Sequence, residues 1–143
     1  LSFWLRSDNF RNSPGGFVFD IYDTNRSHFF VRKSLYNDDN LQIAFQEAGA
    51  NAYAAGAGLA MTANQWTQVA ITWDSALHSA KIYQNGVLVH SLSLPATWTP
   101  NAQNFVFGST VSGMALKGSF DSIRLYNRVL ADAEVMGISA DRN

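Results

Sequence analysis

The sequence predicts an all-β protein, a two-sheet antiparallel β-sandwich, and three observations carry that prediction. Apolar residues recur at alternate positions in runs of five to eight, and Val, Ile, Phe, Tyr, Trp and Thr dominate those runs. Gly, Asn, Asp, Ser and Pro separate the runs, which leaves room for short strands and not for long helices. A single open sheet could not bury both of its aromatic faces, so two packed layers are required.

Taken in order, "SFWLR" opens with Phe3 and Leu5 on one face and Trp4 on the other. After the breaker "NSPGG" come Phe17, Phe19 and Ile21, then "SHFFVRKSLY", "LQIAFQ", "TQVAITWD", "AKIYQ", "VLVHSLSL", "FVFGS" and "GSFDSIRLYN", giving at least nine strand candidates. In "KIYQNGVLV" the pair Asn85-Gly86 sits between two alternating runs, and both residues tolerate the positive φ of a type I′ turn, so a tight hairpin is predicted. "SALHS", residues 75–79, reads as a longer polar loop before that hairpin. Residues 48–65 are rich in small side chains and predict a thin strand plus loops. The one helix candidate, "ADAEVMGI", is short and C-terminal, with Asp132 as N-cap and Glu134 in the first turn, where the helix dipole favours negative charge.

Composition narrows the function. A chain of 143 residues, 47% hydrophobic and without internal repeats, predicts a single domain spanning 1–143 that buries its own core. A net charge of -1 supplies no basic footprint, so nucleic acid is not an expected partner. No apolar run approaches the ~20 residues of a spanning helix, so membrane insertion is not expected either. With no Cys, disulfides and thiolate metal sites are excluded. The start "LSFWLRS" has no initiator Met and no signal-peptide pattern, and it reads as an excerpt of a larger protein.

At "NQWTQVAITWD", "KIYQNGVLV" and "FDSIRLYNRVLADAEV" the chain resembles the laminin-G-like domains of the concanavalin A-like lectin and glucanase superfamily, in the branch related to pentraxins. Trp66, Trp73, Asp74, Tyr83, Asn85, Gly86, Asp121, Arg124, Tyr126, Asn127, Arg128 and Glu134 fill the places of the family pattern. The resemblance implies a jelly-roll sandwich and an extracellular or cell-surface setting. Family members usually carry a further strand before "SFWLR", beside the closing strand. Its absence here implies an unpaired strand edge open to self-association. Relatives often have an acidic residue where this chain has Ser122.

Enzyme chemistry finds little support. A glycosidase needs two carboxyl groups roughly 5 to 10 Å apart, and the superfamily's Glu-x-Asp-x-Glu run is missing. The histidines at 28, 78 and 90 are scattered, no Gly-x-Ser-x-Gly elbow is present, and "GSTVSG" lacks the Lys of a phosphate loop. The expected class is therefore a non-catalytic module that binds a glycan or an extracellular protein through loops at one rim. An ancillary domain of a polysaccharide-degrading enzyme and a purely structural assembly domain are the alternatives.

Two loops offer oxygen ligands for calcium. In "DTNRS", Asp23 matches the family's early calcium ligand and Asn25 is a second, although Asp-x-Asn also forms an Asx turn unaided. In "YNDDN", Asp38 and Asp39 stand between two amides, which fits either a cation site or an ordinary hairpin end. For a sugar, an aromatic face with amides nearby is needed. Trp98 in "LPATWTPN", with Asn101 and Asn104 close by, is the leading candidate, against the alternative that it caps one end of the sandwich. Tyr36 and Tyr53 lie in or near loops and join the ligand-binding set.

Overall fold

The structure, a computed structural model, describes residues 1–8, 16–22, 28–36, 38–47, 53–96, 98, 104–108 and 116–141, with the backbone alone at 53–55 and 104. These residues form ten strands and one helix: β1 (Ser2–Arg6), β2 (Phe17–Tyr22), β3 (His28–Lys33), β4 (Asn40–Gln46), β5 (Tyr53–Ala60), β6 (Thr67–Asp74), β7 (Ser79–Gln84), β8 (Val87–Ser93), β9 (Asn104–Phe107), β10 (Ser119–Arg124) and α1 (Asp132–Ala140). Two antiparallel five-stranded sheets result, ordered β10-β1-β6-β7-β8 and β5-β4-β3-β2-β9. The sandwich that the alternating pattern predicts is present.

Inner-face residues of both sheets meet in one core: Phe3 and Leu5 of β1, Phe19 of β2, Phe29 and Val31 of β3, Ile43 and Phe45 of β4, and Val69 and Ile71 of β6. Fully burying such a side chain contributes about 1.5–3 kcal/mol each, so this layer supplies the main driving force for folding. Phe29 ties the sheets together, stacked on Phe45 at 4.7 Å and tilted against Trp73 at 5.0 Å. Trp98 belongs to this core as well. It is 1% exposed, its ring stands edge-on to Phe45 at 5.0 Å, and its Nε1 donates to the His28 carbonyl at 3.4 Å. A buried indole has no free face on which a pyranose could stack, so the sugar-stacking expectation for Trp98 is corrected to the capping alternative.

The first sheet is covered on its outer side too, which explains the unbroken burial of β6 from Thr67 to Thr72. Leu130 and Val135, around and within α1, pack on Ala70 and Tyr83. The Tyr83 hydroxyl and the Lys81 ammonium both donate to Asp132 Oδ1 at 2.8 Å. Asp132 is thus the first helical residue and an anchor. The expected N-cap role falls to Ala131, whose N–H donates to Glu134 Oε2 at 2.8 Å.

The Asn85-Gly86 hairpin is as expected, with φ of 52° and 79°, and the buried Gln68 bolts it to β6. Asn85 Oδ1 accepts the Gln68 N–H at 3.0 Å, and Gln68 Oε1 accepts the Gly86 N–H at 3.2 Å. Residues 75–78 form a turn tighter than the predicted loop, because Asp74 Oδ1 accepts the N–H groups of Ala76 and Leu77. At the sheet edge, β10 pairs with β1 through a bulge between Ser2 and Trp4, and Ser122 there has a φ of 49°. A bulge bends an edge strand and blunts its pairing capacity.

Candidate functional site

Helix α1 occupies the outer face of one sheet, while the outer face of the other carries a cavity of about 520 Å³. Residues directly opposite each other in antiparallel strands share a face. The pairs Arg32↔Gln42 and Gln42↔Gly58 therefore set these three residues in one row across β3, β4 and β5. Their neighbours Val31 and Ile43 point the other way, into the core. Gly58 leaves the row open, since a Cβ there would meet nothing within 4 Å. At the row's end, the turn joining β3 to β4 brings Ser34, Tyr36, Asp38 and Asn40 to the cavity's lip.

Each polar group has a defined hold. Arg32 Nε donates to Gln42 Oε1 at 2.8 Å, and its guanidinium lies over the rings of Phe30 and Phe17 at 5.0 and 5.8 Å. Both rings belong to a small apolar cluster with Ala44 on this outer face. Stacking and the amide contact fix the guanidinium plane. Tyr36 is 78% exposed, and its N–H donates to Ser34 Oγ at 3.1 Å. Asp38 Oδ1 accepts the Asn40 N–H at 3.1 Å, and Ser34 Oγ donates to Asp38 Oδ2 at 3.2 Å. Partial burial raises the affinity of the Asp38 carboxyl for its proton, but the Asn40 and Ser34 hydrogen bonds and the nearby Lys33 charge together hold its pKa below the ordinary value.

Beneath this lip lies Lys33, fully buried on the core side of β3. Its ammonium donates to the carbonyls of Ser34 at 3.3 Å and Tyr36 at 3.1 Å, and it stands 3.7 Å from Asp38 Oδ1. Farther along the outer face of this sheet, the buried Asp20 carboxylate lies 3.1 Å from His28 Nδ1, and Tyr22 stacks on that imidazole.

The predicted site residues separate clearly. Tyr36 and Asp38 meet at the cavity lip. Asp39 contributes its carbonyl, which accepts the Met61 N–H at 2.7 Å. Tyr53 and Asn104 are strand residues, not loop residues, opening β5 opposite Gln46 and β9 opposite Tyr22. Asp23, Asn25 and Asn101 lie outside the described residues. Among the described residues, no group of three His, Asp or Glu side chains is placed to hold a metal. Sequence reasoning missed Arg32, Gln42, Gly58 and Lys33. Polar residues at alternate positions of "FVRKS" and "NLQ", opposite a Gly-x-Gly in "AAGAGLA", were the available signal for the first three.

A family profile described as the concanavalin A-like lectin/glucanases superfamily matches residues 1–136, and the chain belongs to that laminin-G-like family. No curated protein matches the sequence. Among solved structures, the chain is similar to the heptameric SAP-like pentraxin of Limulus polyphemus, at 14% identity and a TM-score of 0.71, covering 96% of this chain and 67% of that one. It is similar to domain 4 of an extracellular GH43 arabinanase from Geobacillus stearothermophilus in complex with arabinotriose, at 20% identity and a TM-score of 0.69, covering 96% of this chain and 64% of that one. The binding domain of botulinum neurotoxin DC, in complex with rat synaptotagmin II, gives 16% identity and a TM-score of 0.71. There the match covers 97% of this chain, which spans only 34% of that one. These likenesses establish the shared fold. Among the described residues, no helix is long and apolar enough to cross a membrane.

Proposed function

We propose that this chain is a non-catalytic binding module that takes a short glycan segment in the cavity on the outer face of the β5-β4-β3-β2-β9 sheet. The observation that carries this reading is the pairing of an exposed Tyr36 ring with a row of fixed polar groups, Arg32, Gln42, Asn40 and Asp38, over a floor opened by Gly58. A sugar ring offers C–H groups to an aromatic face and hydroxyls to amides, a carboxylate and a guanidinium. A volume of about 520 Å³ suits one to three sugar units, within the range of preformed ligand pockets. The arabinotriose held by the similar arabinanase domain supports the ligand class and favours a place beside a catalytic unit in an extracellular protein.

A glycan array probed with the wild-type chain and with Tyr36→Ala tests this. Binding should appear for the wild type and fall at least tenfold for the variant. The melting temperature should move by no more than a few degrees, because Tyr36 is exposed. A chain that binds no glycan but captures a protein through the same cavity would replace the ligand class. Calcium at Asp23 and Asn25 is an adjunct of this reading, and calorimetric titration with calcium checks it.

A further inference from the structure

We propose that the Lys33 ammonium is a built-in cation that shapes the lip of the cavity at Ser34, Tyr36, Asp38 and Asn40, doing there what a bound calcium ion would do, so that this lip forms without a metal. The link to recognition rests on the function proposed above; the shaping of the lip does not. The donor set carries the argument. Main-chain carbonyls at 34 and 36 and a carboxylate at 38 converge on one point, the kind of oxygen cluster a loop offers a hard cation. At that point sits an ammonium that hydrogen-bonds both carbonyls and faces the carboxylate as an ion pair.

The position of Lys33 in β3 makes this arrangement obligatory. Phe29, Val31 and Lys33 share the inward parity of the strand, so a charged residue stands where the pattern calls for an apolar one. Its stem is buried, and leaving the charge without partners in the sandwich would be costly, so the chain beyond β3 must curl back to meet it. That curl turns Asp38 inward, and Asp38 in turn holds Ser34 and the Asn40 N–H. Tyr36, between them, is left projecting beside the cavity. A divalent ion added to the same oxygens would face the positive charge of Lys33 at close range. In this proposal Asp38 is the counter-ion of an internal ammonium in place of a calcium ligand, and Lys33 is a positioning residue.

The experiment needs no glycan, so its outcome is independent of the ligand reading. Backbone amide resonances of Ser34 through Asn40 are recorded for the wild type in millimolar calcium and in excess chelator, and for Lys33→Met and Lys33→Cys. Because the chain has no other cysteine, Lys33→Cys can be alkylated unfolded with bromoethylamine, which restores an ammonium of nearly native length with loss of bromide. Alkylation of the same thiolate with 1-bromopropane, again with loss of bromide, adds the same bulk without charge. The wild-type resonances should be the same with calcium and chelator. The Met and propylated forms should lose the native lip resonances and melt lower by roughly 5 °C, and the aminoethylated form should recover both. Native lip resonances in either neutral form would overturn the proposal, as would calcium-induced shifts of the wild-type lip. Should the neutral forms fail to fold, recovery by aminoethylation alone still supports it, and equal recovery by propylation overturns it.

Discussion

At Gly58 a missing side chain leaves the cavity open to the proposed ligand, and the same vacancy makes the cavity easy to close. A valine at 58 meets open space, suits a strand better than glycine does, and stands in line with Gln42 and Arg32. Gly58→Val is therefore expected to leave thermal stability equal or slightly higher while lowering ligand affinity by at least tenfold, read by melting temperature and by titration with any glycan the array identifies. Trp98 and Lys33 show why single residues were hard to place from sequence. Trp98 lies between prolines in a segment whose composition says loop, and only its approach to Phe45 and the His28 carbonyl shows that it closes the core. Lys33 follows an apolar run, and a charged residue there reads naturally as the end of a buried strand. Its burial depends on carbonyls up to three residues ahead, whose direction no periodicity encodes.

Elements were more legible than residues because their signal is repeated along the chain. Alternation in β1, β2, β6 and β7 and the Asn85-Gly86 dipeptide were sufficient for strands, hairpin and sandwich. The cavity was not legible, since it is assembled from the turn after β3, the start of β4 and the middle of β5, and no one of these segments looks like a site alone. The hairpin also does more than turn the chain. A Cβ on Gly86 would collide with the Ser139 side chain of α1, besides occupying a φ of 79°. Gly86→Ala should destabilise the fold by about 1–3 kcal/mol through strain and a displaced helix end. Urea unfolding would read this as a lower midpoint at unchanged slope.

Across the whole molecule, β1 joins segments far apart in sequence, pairing with both β6 and β10. In a polypeptide that begins at Leu1, just ahead of β1, the amino group of that residue is buried and donates to the Ile71 carbonyl at 3.0 Å, and desolvation lowers its pKa from 8.0 to about 6. For a base whose pKa falls on folding, the unfolded chain holds more protons between those two values, so stability rises with pH across that window. A polypeptide that begins at Leu1 should gain roughly 2 kcal/mol between the acidic and basic ends of it. One carrying an N-terminal extension should lose that component, since an amide does not titrate there. Denaturant midpoints of the two polypeptides on either side of the window provide the check, and their difference removes the contribution of the three histidines.

The sandwich also has a back and a front. Helix α1 lies on the outer side of one sheet, and the cavity opens from the outer side of the other. A chain tethered to a chip or bead through the end of α1 would hold the proposed recognition surface outward, away from the support. Coupling through the surface lysines would not share that advantage, because attachment would leave molecules at mixed tilts. An array or sensor built with the helix as its handle will therefore report more of the available sites than one built by random coupling.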